Sequence, residues 1–165
     1  YIARVGDDSI FEIDAEKIAF LQVNYLDILD GYIYNNNLTT VSTLSVFDHV
    51  NSKDYYMEIS GKGVDVFGVI ENKEIAYSEL MAFYSTINSI GIAKQIEKAE
   101  GVVFQQQKKP YLTIIIEKKS GLKDILEFYG AQTGTSYVSV NGVINFKTYN
   151  KSAIDILNGM KKIME

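Results

Sequence analysis

Residues 111–130, YLTIIIEKKSGLKDILEFYG, hold the most regular signal in the chain. Pro110 precedes them, and Leu112-Thr113-Ile114-Ile115-Ile116 is a nearly unbroken β-branched and apolar run, the composition of a strand inside a sheet. Lys118-Lys119-Ser120-Gly121 interrupts that run, and Leu122 to Tyr129 resumes it. Two strands joined by so short a link must lie antiparallel, because a parallel return needs a crossover of a dozen or more residues. An antiparallel hairpin is therefore the starting point for everything around it.

Downstream, Tyr137–Val140 and Val143–Thr148 flank Asn141-Gly142, a dipeptide that tolerates the positive φ of a type I′ hairpin turn. A helix over about 151–164 follows, with Ala153, Leu157, Met160 and Met164 on one face and Asn150 as its N-cap. Upstream, residues 41–47, 54–60 and 64–70 read as three strands, the last two joined by a tight turn at Gly61-Lys62-Gly63. A helix from about Tyr77 to Ile90 carries Leu80, Phe83, Tyr84, Ile87 and Ile90, and Gly91 stops it. Residues 95–110, with Gln105-Gln106-Gln107, are polar and read as an exposed connection. At the start, Tyr1–Val5 and Ile10–Ile13 alternate around Gly6-Asp7-Asp8-Ser9 as a hairpin. Asp14 then caps a helix striped by Ile18, Leu21 and Tyr25, which ends before Gly31.

The two ends repeat one another without a gap. Tyr1 matches Tyr137, Ile2 matches Val138, Gly6 matches Gly142, Asp14 matches Asn150, Ile18 matches Ile154 and Leu21 matches Leu157. Residues 1–30 thus resemble 137–165, and 41–60 resemble 111–130 more loosely, each a strand, a turn and a second strand. These readings predict an α+β fold within a single domain spanning 1–165. Its antiparallel β-sheets come from hairpin-rich duplicated units, with about three helices packed on one face.

Composition narrows the function classes. A chain of 165 residues is long enough for one domain and buries about 70% of its unfolded surface without a staple. There is no cysteine and one histidine, His49, which removes thiol nucleophiles, zinc ribbons and multi-histidine metal sites. No metal or organic cofactor is expected. The net charge is −5, and the pairs Lys108-Lys109, Lys118-Lys119 and Lys161-Lys162 form no stripe, so neither nucleic acid nor an anionic membrane surface is an expected partner. No window approaches the roughly 18 consecutive apolar residues of a spanning helix. The chain nevertheless begins at Tyr1 inside a strand-like run, as expected of a fragment with an anchor or signal segment upstream. Twelve Tyr and no Trp suit either half-exposed sheet packing or a surface on which a sugar or peptide stacks.

Catalytic motifs are missing. Serines occur without a Gly-x-Ser-x-Gly elbow, and Gly61-x-Gly63 lies between strands, where it cannot aim a helix N-terminus at phosphate. The carboxylate pairs are Asp7-Asp8 in a turn, Asp27 with Asp30 at a helix end, and Asp124 with Glu127 on one strand. The odd spacing of Asp124 and Glu127 points them to opposite faces. Asn37-Leu38-Thr39 and Asn150-Lys151-Ser152 match the glycosylation sequon.

Pro110-Tyr111-Leu112-Thr113-Ile114, Gly121, Leu126 to Gly130 and Tyr137-Val138-Ser139-Val140, followed by a hairpin and a capped helix, form an ordered pattern. It resembles a bacterial domain-of-unknown-function family whose genes neighbour gliding-type ABC-transporter components and their auxiliary proteins. Tyr1-Ile2-Ala3-Arg4-Val5-Gly6 through Asp14 looks like the same module. Where that family carries Gly-Leu before its proline, this chain has Gln107-Lys108-Lys109. The resemblance implies an N-terminal membrane anchor followed by a domain outside the cytoplasmic membrane, and it brings no catalytic residues. The expectation is a non-catalytic extracytoplasmic interaction or scaffolding domain, with a protein partner in a membrane transporter or envelope assembly. The alternative is an envelope-glycan or small-ligand binding domain, or a carboxylate-dependent hydrolase. A concave pocket gathering tyrosines and two or more carboxylates would favour that alternative.

Overall fold

The computed structural model describes residues 31–96, 108–131 and 134–165, and before them two short strands, β1 (Ile2–Ala3) and β2 (Ile10–Phe11). The chain divides into two compact units, Tyr1–Gly31 and Tyr32–Glu165. In the first unit β1 and β2 pair antiparallel, with Ile2 opposite Phe11 and Ala3 opposite Ile10. The Asp14 cap, the helix striped by Ile18, Leu21 and Tyr25, and Asp7, Asp8, Asp27 and Asp30 lie outside the described residues. So does most of the segment matched to 137–165.

In the second unit the elements follow as β3 (Val41–Asp48), β4 (Lys53–Ser60), β5 (Phe67–Ile70), β6 (Lys73–Ile75), α1 (Tyr77–Asn88) and β7 (Lys94–Gln95). After them come β8 (Leu112–Lys118), β9 (Lys123–Gly130), β10 (Thr135–Val140), β11 (Val143–Tyr149) and α2 (Asn150–Met164). The strands form one nine-stranded sheet in the order β6-β5-β4-β3-β8-β9-β10-β11-β7. Each neighbouring pair is antiparallel.

This corrects the expected fold. Instead of several sheets carrying about three helices, the described residues of the second unit form one large nine-stranded sheet with two helices. The cause is the pairing of β3 with β8, which sets Leu44 opposite Ile116 and Val46 opposite Ile114. Left as edges, both strands would expose apolar side chains and unpaired backbone groups. Pairing removes both liabilities and joins the two meanders.

The sheet has an internal two-part order. β3-β4-β5-β6-α1 and β8-β9-β10-β11-α2 are the same sequence of elements, and they meet at β3 and β8. Glu71-Asn72 in one half and Asn141-Gly142 in the other turn their third hairpin with positive φ, 50° and 66° against 51° and 81°, as a type I′ turn requires. Leu80, Phe83, Ile87 and Ile90 in the first half share the spacing of Ala153, Ile156, Met160 and Ile163 in the second, and all eight are buried. The helices therefore cover one face of the sheet. That face contributes Leu44, Val46, Met57, Ile114, Leu126 and Phe128 to the core.

Other boundaries shift for local reasons. α2 buries Ala153 and Met160 as predicted, but Ile156 and Ile163 take the places expected of Leu157 and Met164, which are only partly buried. Asn150 opens α2 without capping it. Its Oδ1 accepts from Ser136 Oγ at 2.6 Å. Gly61 to Val66 is not a tight turn, because a 3₁₀ turn at Gly63–Asp65 delays β5 to Phe67. Gln95 and Ile96 belong to the fold and not to an exposed connection, since Gln95 ends β7 and Ile96 is buried.

Candidate interaction surface

Side chains on alternate residues of β3, β4, β8 and β9 point away from the helices. The strand registers arrange them in three rows. Tyr56, Ser45, Ile115 and Ile125 form the middle row. Asp54, Phe47, Thr113 and Glu127 lie on one side of it, and Glu58, Thr43, Glu117 and Lys123 on the other. An apolar band thus crosses four strands between two rows rich in carboxylates. None of the twelve is buried, whereas Leu44, Val46, Ile114 and Ile116, one residue along on the same strands, are fully buried. Tyr56 is 54% exposed. Among the described residues this side carries a small core toward β9–β11, where Ile96, Tyr129, Tyr137 and Ile144 pack together and Lys147 Nζ lies 4.3 Å above the Tyr137 ring.

Electrostatics divide the carboxylates. Glu117 is ion-paired with Lys123 and accepts from Thr43 Oγ1 at 2.9 Å, and these bonds, that of Lys123 first, hold its carboxyl below the usual range. Glu127 accepts from the Tyr129 hydroxyl at 3.0 Å. Asp54 and Glu58, on either side of Tyr56 along β4, are exposed and have no hydrogen bond or ion pair among the described residues. The sheet edges offer much less. β6 has three residues and β7 two, too short to template an added strand, and Lys73 of β6 donates to the Ile163 carbonyl at 3.0 Å.

The helix side carries polar groups of another kind. Asp124 Oδ2 accepts from the Tyr34 hydroxyl at 2.9 Å and pairs with Lys118 Nζ at 2.8 Å, and Oδ1 accepts from Asn141 Nδ2 at 3.3 Å. Burial works to raise this carboxyl, but the bonds from Lys118, Asn141 and Tyr34 outweigh burial and hold it below the usual range. Asn36 and Asn88 exchange two further bonds, and Ile33 N–H donates to the Ile90 carbonyl at 2.8 Å. The cluster ties the segment leading into β3 to α1 and β9. Asp124 thus faces the helices and Glu127 the open side, as their odd spacing requires. Burial drives the Tyr84 hydroxyl up to about 12 against the opposing pull of the neighbouring Tyr34 hydroxyl, and no hydrogen bond of good geometry reaches it among the described residues. Asp48, also buried, turns β3 into β4 by accepting from Val50 N–H, Asn51 N–H and Asn51 Nδ2. His49 in that turn stacks on Phe47 and bonds Thr113 Oγ1 through Nε2 at 3.0 Å.

A cleft of about 520 Å³ opens where α2 ends, lined by Lys53, Asp54, Tyr55, Glu71, Lys161 and Met164 together with Glu165. It gathers three carboxylates with one tyrosine. Asn37 of the first sequon caps the 3₁₀ turn Leu38–Thr40, its side chain accepting from Thr39 N–H. Among the described residues no group of three or more His, Cys, Asp or Glu is placed to hold a metal, and no helix is long and apolar enough to cross a membrane. Comparison with models of protein families, with curated proteins and with solved structures gave no match.

The three-row surface was not visible in the sequence because it depends on β3 meeting β8. One signal was present: the unbroken apolar run of β8 puts Ile115 on the side away from the two described helices.

Proposed function

We propose that the chain is a non-catalytic interaction domain acting outside the cytoplasmic membrane, where it docks a protein of a transporter or envelope assembly on the open face of its sheet. The apolar row of Tyr56, exposed, with Ile115 and Ile125, partly exposed, which neither described helix covers and which charge frames, carries this reading. Exposed apolar surface with a polar rim is the composition of a protein interface. The short edges argue for the face over strand addition. The setting comes from the family resemblance alone. Among the described residues the carboxyls that move from their ordinary values, Asp48, Glu117 and Asp124, all move down, whereas a general acid working near neutral pH must move up.

The test uses the full-length gene in its own host. Cells are fractionated, intact protoplasts are treated with protease, and the membrane complex is sized on native gels for the wild type and for Ile115→Lys. The expected result is a membrane-bound, externally digestible protein whose complex loses mass in the variant. A soluble protein protected from protease contradicts the location, and a complex unchanged by Ile115→Lys contradicts the docking face.

A second reading, an envelope-glycan or other small-ligand site, is favoured by the cleft that brings Tyr55 together with Asp54 and Glu71. Titration with soluble cell-wall fragments separates the two readings. Saturable binding that Tyr55→Ala abolishes supports the cleft, and no binding removes it.

A further inference from the structure

The dimensions and charge of the open face specify a partner. Four strands are spanned by three spacings of about 4.8 Å, so the apolar row is about 14 Å long. An α-helix covers that length with about nine or ten residues. The flanking rows are each two residues away along the strands, so they stand about 13 Å apart, and a helix with its side chains, about 10–12 Å wide, fits between them. Ser45 is the shortest side chain of the middle row and leaves room between Tyr56 and Ile115.

Charge sets the flanks. Glu117 already has its cation in Lys123, but Asp54 and Glu58 have none among the described residues, and they bracket the exposed ring of Tyr56 on one strand. A cation over that ring gains from the π face and from both carboxylates. We propose that the open face docks an amphipathic α-helix of a partner protein, its apolar stripe along Tyr56, Ile115 and Ile125 and its flanks bearing Lys or Arg. This inference rests on the docking-face reading above and adds the chemistry of the partner.

The full chain is titrated by fluorescence anisotropy with two synthetic helical peptides that share one leucine stripe, one flanked by lysines and the other by glutamates. The lysine peptide is expected to bind at least about tenfold more tightly, with the preference shrinking at high salt. Tyr56→Ala should weaken it about fivefold. The double variant Asp54→Lys/Glu58→Lys should reverse the preference, and since both positions are exposed, its thermal transition should match the wild type. Equal binding of the two peptides, or a preference that survives the double reversal, overturns the inference. If it fails while Ile115→Lys still reduces the native complex, the docking face stands and the basic helix falls. If Ile115→Lys leaves that complex intact, the docking reading falls with it.

Discussion

Gly159 of α2 faces the Phe83 ring of α1 so closely that a Cβ on the glycine would stand 2.8 Å from Phe83 Cδ2. The two helices that close the sheet therefore touch through a residue with no side chain, and this sets how near they come. Gly159→Ala brings two opposed effects. A better helix former contributes about 1 kcal/mol, while overpacking against a buried ring costs about 1–3 kcal/mol. The expected net result in urea unfolding is a loss of about 1 kcal/mol, relieved when Phe83→Leu is added. A more stable single variant would contradict this helix contact.

Tyr84→Phe should be neutral or stabilising by about 1 kcal/mol at pH 7, because it removes a buried hydroxyl that no well-formed hydrogen bond reaches among the described residues, only the nearby Tyr34 hydroxyl. The alkaline limb gives a second reading. The Tyr84 hydroxyl titrates at about 12 in the fold against about 10 unfolded, so its contribution is complete below pH 10. It is then lost as pH rises from 10 to 12, by up to about 2–3 kcal/mol. Tyr34 is raised as well, by burial first, so the variant should keep part of the slope. Unfolding at pH 7 and pH 11 checks both statements, and a clear loss at pH 7 would show that a well-formed bond holds the hydroxyl.

Asp124 governs the acid limb. Its folded value lies below the unfolded one, so its contribution is present above the ordinary carboxyl range and is lost as pH falls through the folded value. Asp124→Asn is expected to cost about 1–3 kcal/mol at pH 7, since Tyr34 and Lys118 both lose a charged acceptor. It should also flatten the acid limb of the stability curve, leaving Asp48 and Glu117 as the described carboxyls that still carry downward shifts. An unaltered acid limb would show that the cluster does not titrate with folding.

The parts legible in the sequence were those encoded by neighbouring residues. The β8–β9 hairpin, the Asn141-Gly142 turn and both described helices follow from local pattern and turn chemistry, and their ends lie within about two residues of the predicted ones. β6 and β7, of three and two residues, are too short to show a period. The single sheet depends on β3 pairing with β8 across the length of the unit, and the Tyr34–Asp124 bond joins residues 90 apart. Pairings at such separations leave no local trace. The open face is one of their products, which is why Ile115 read as simple core until its neighbours were known.

Ile114 and Ile115 are adjacent yet face opposite ways, and the difference is measurable. Ile114 is fully buried under the helices, so Ile114→Ala should cost about 2–5 kcal/mol. Ile115 is only partly buried on the open face, and Ile115→Ala should cost about 1 kcal/mol or less. Paired denaturant titrations decide this, and equal losses would mean that both faces are closed.

The central claim, that the sheet face opposite the two described helices is where a partner binds, is tested most directly by site-specific photo-crosslinking of the full-length protein in its own cells. A photoreactive residue is placed at position 115 on the open face and, as a control, at position 85 on the exposed outer side of α1. The account predicts one discrete crosslinked species from position 115, diminished by Tyr56→Ala, and none from position 85. Crosslinking from position 85 with none from position 115 would contradict it.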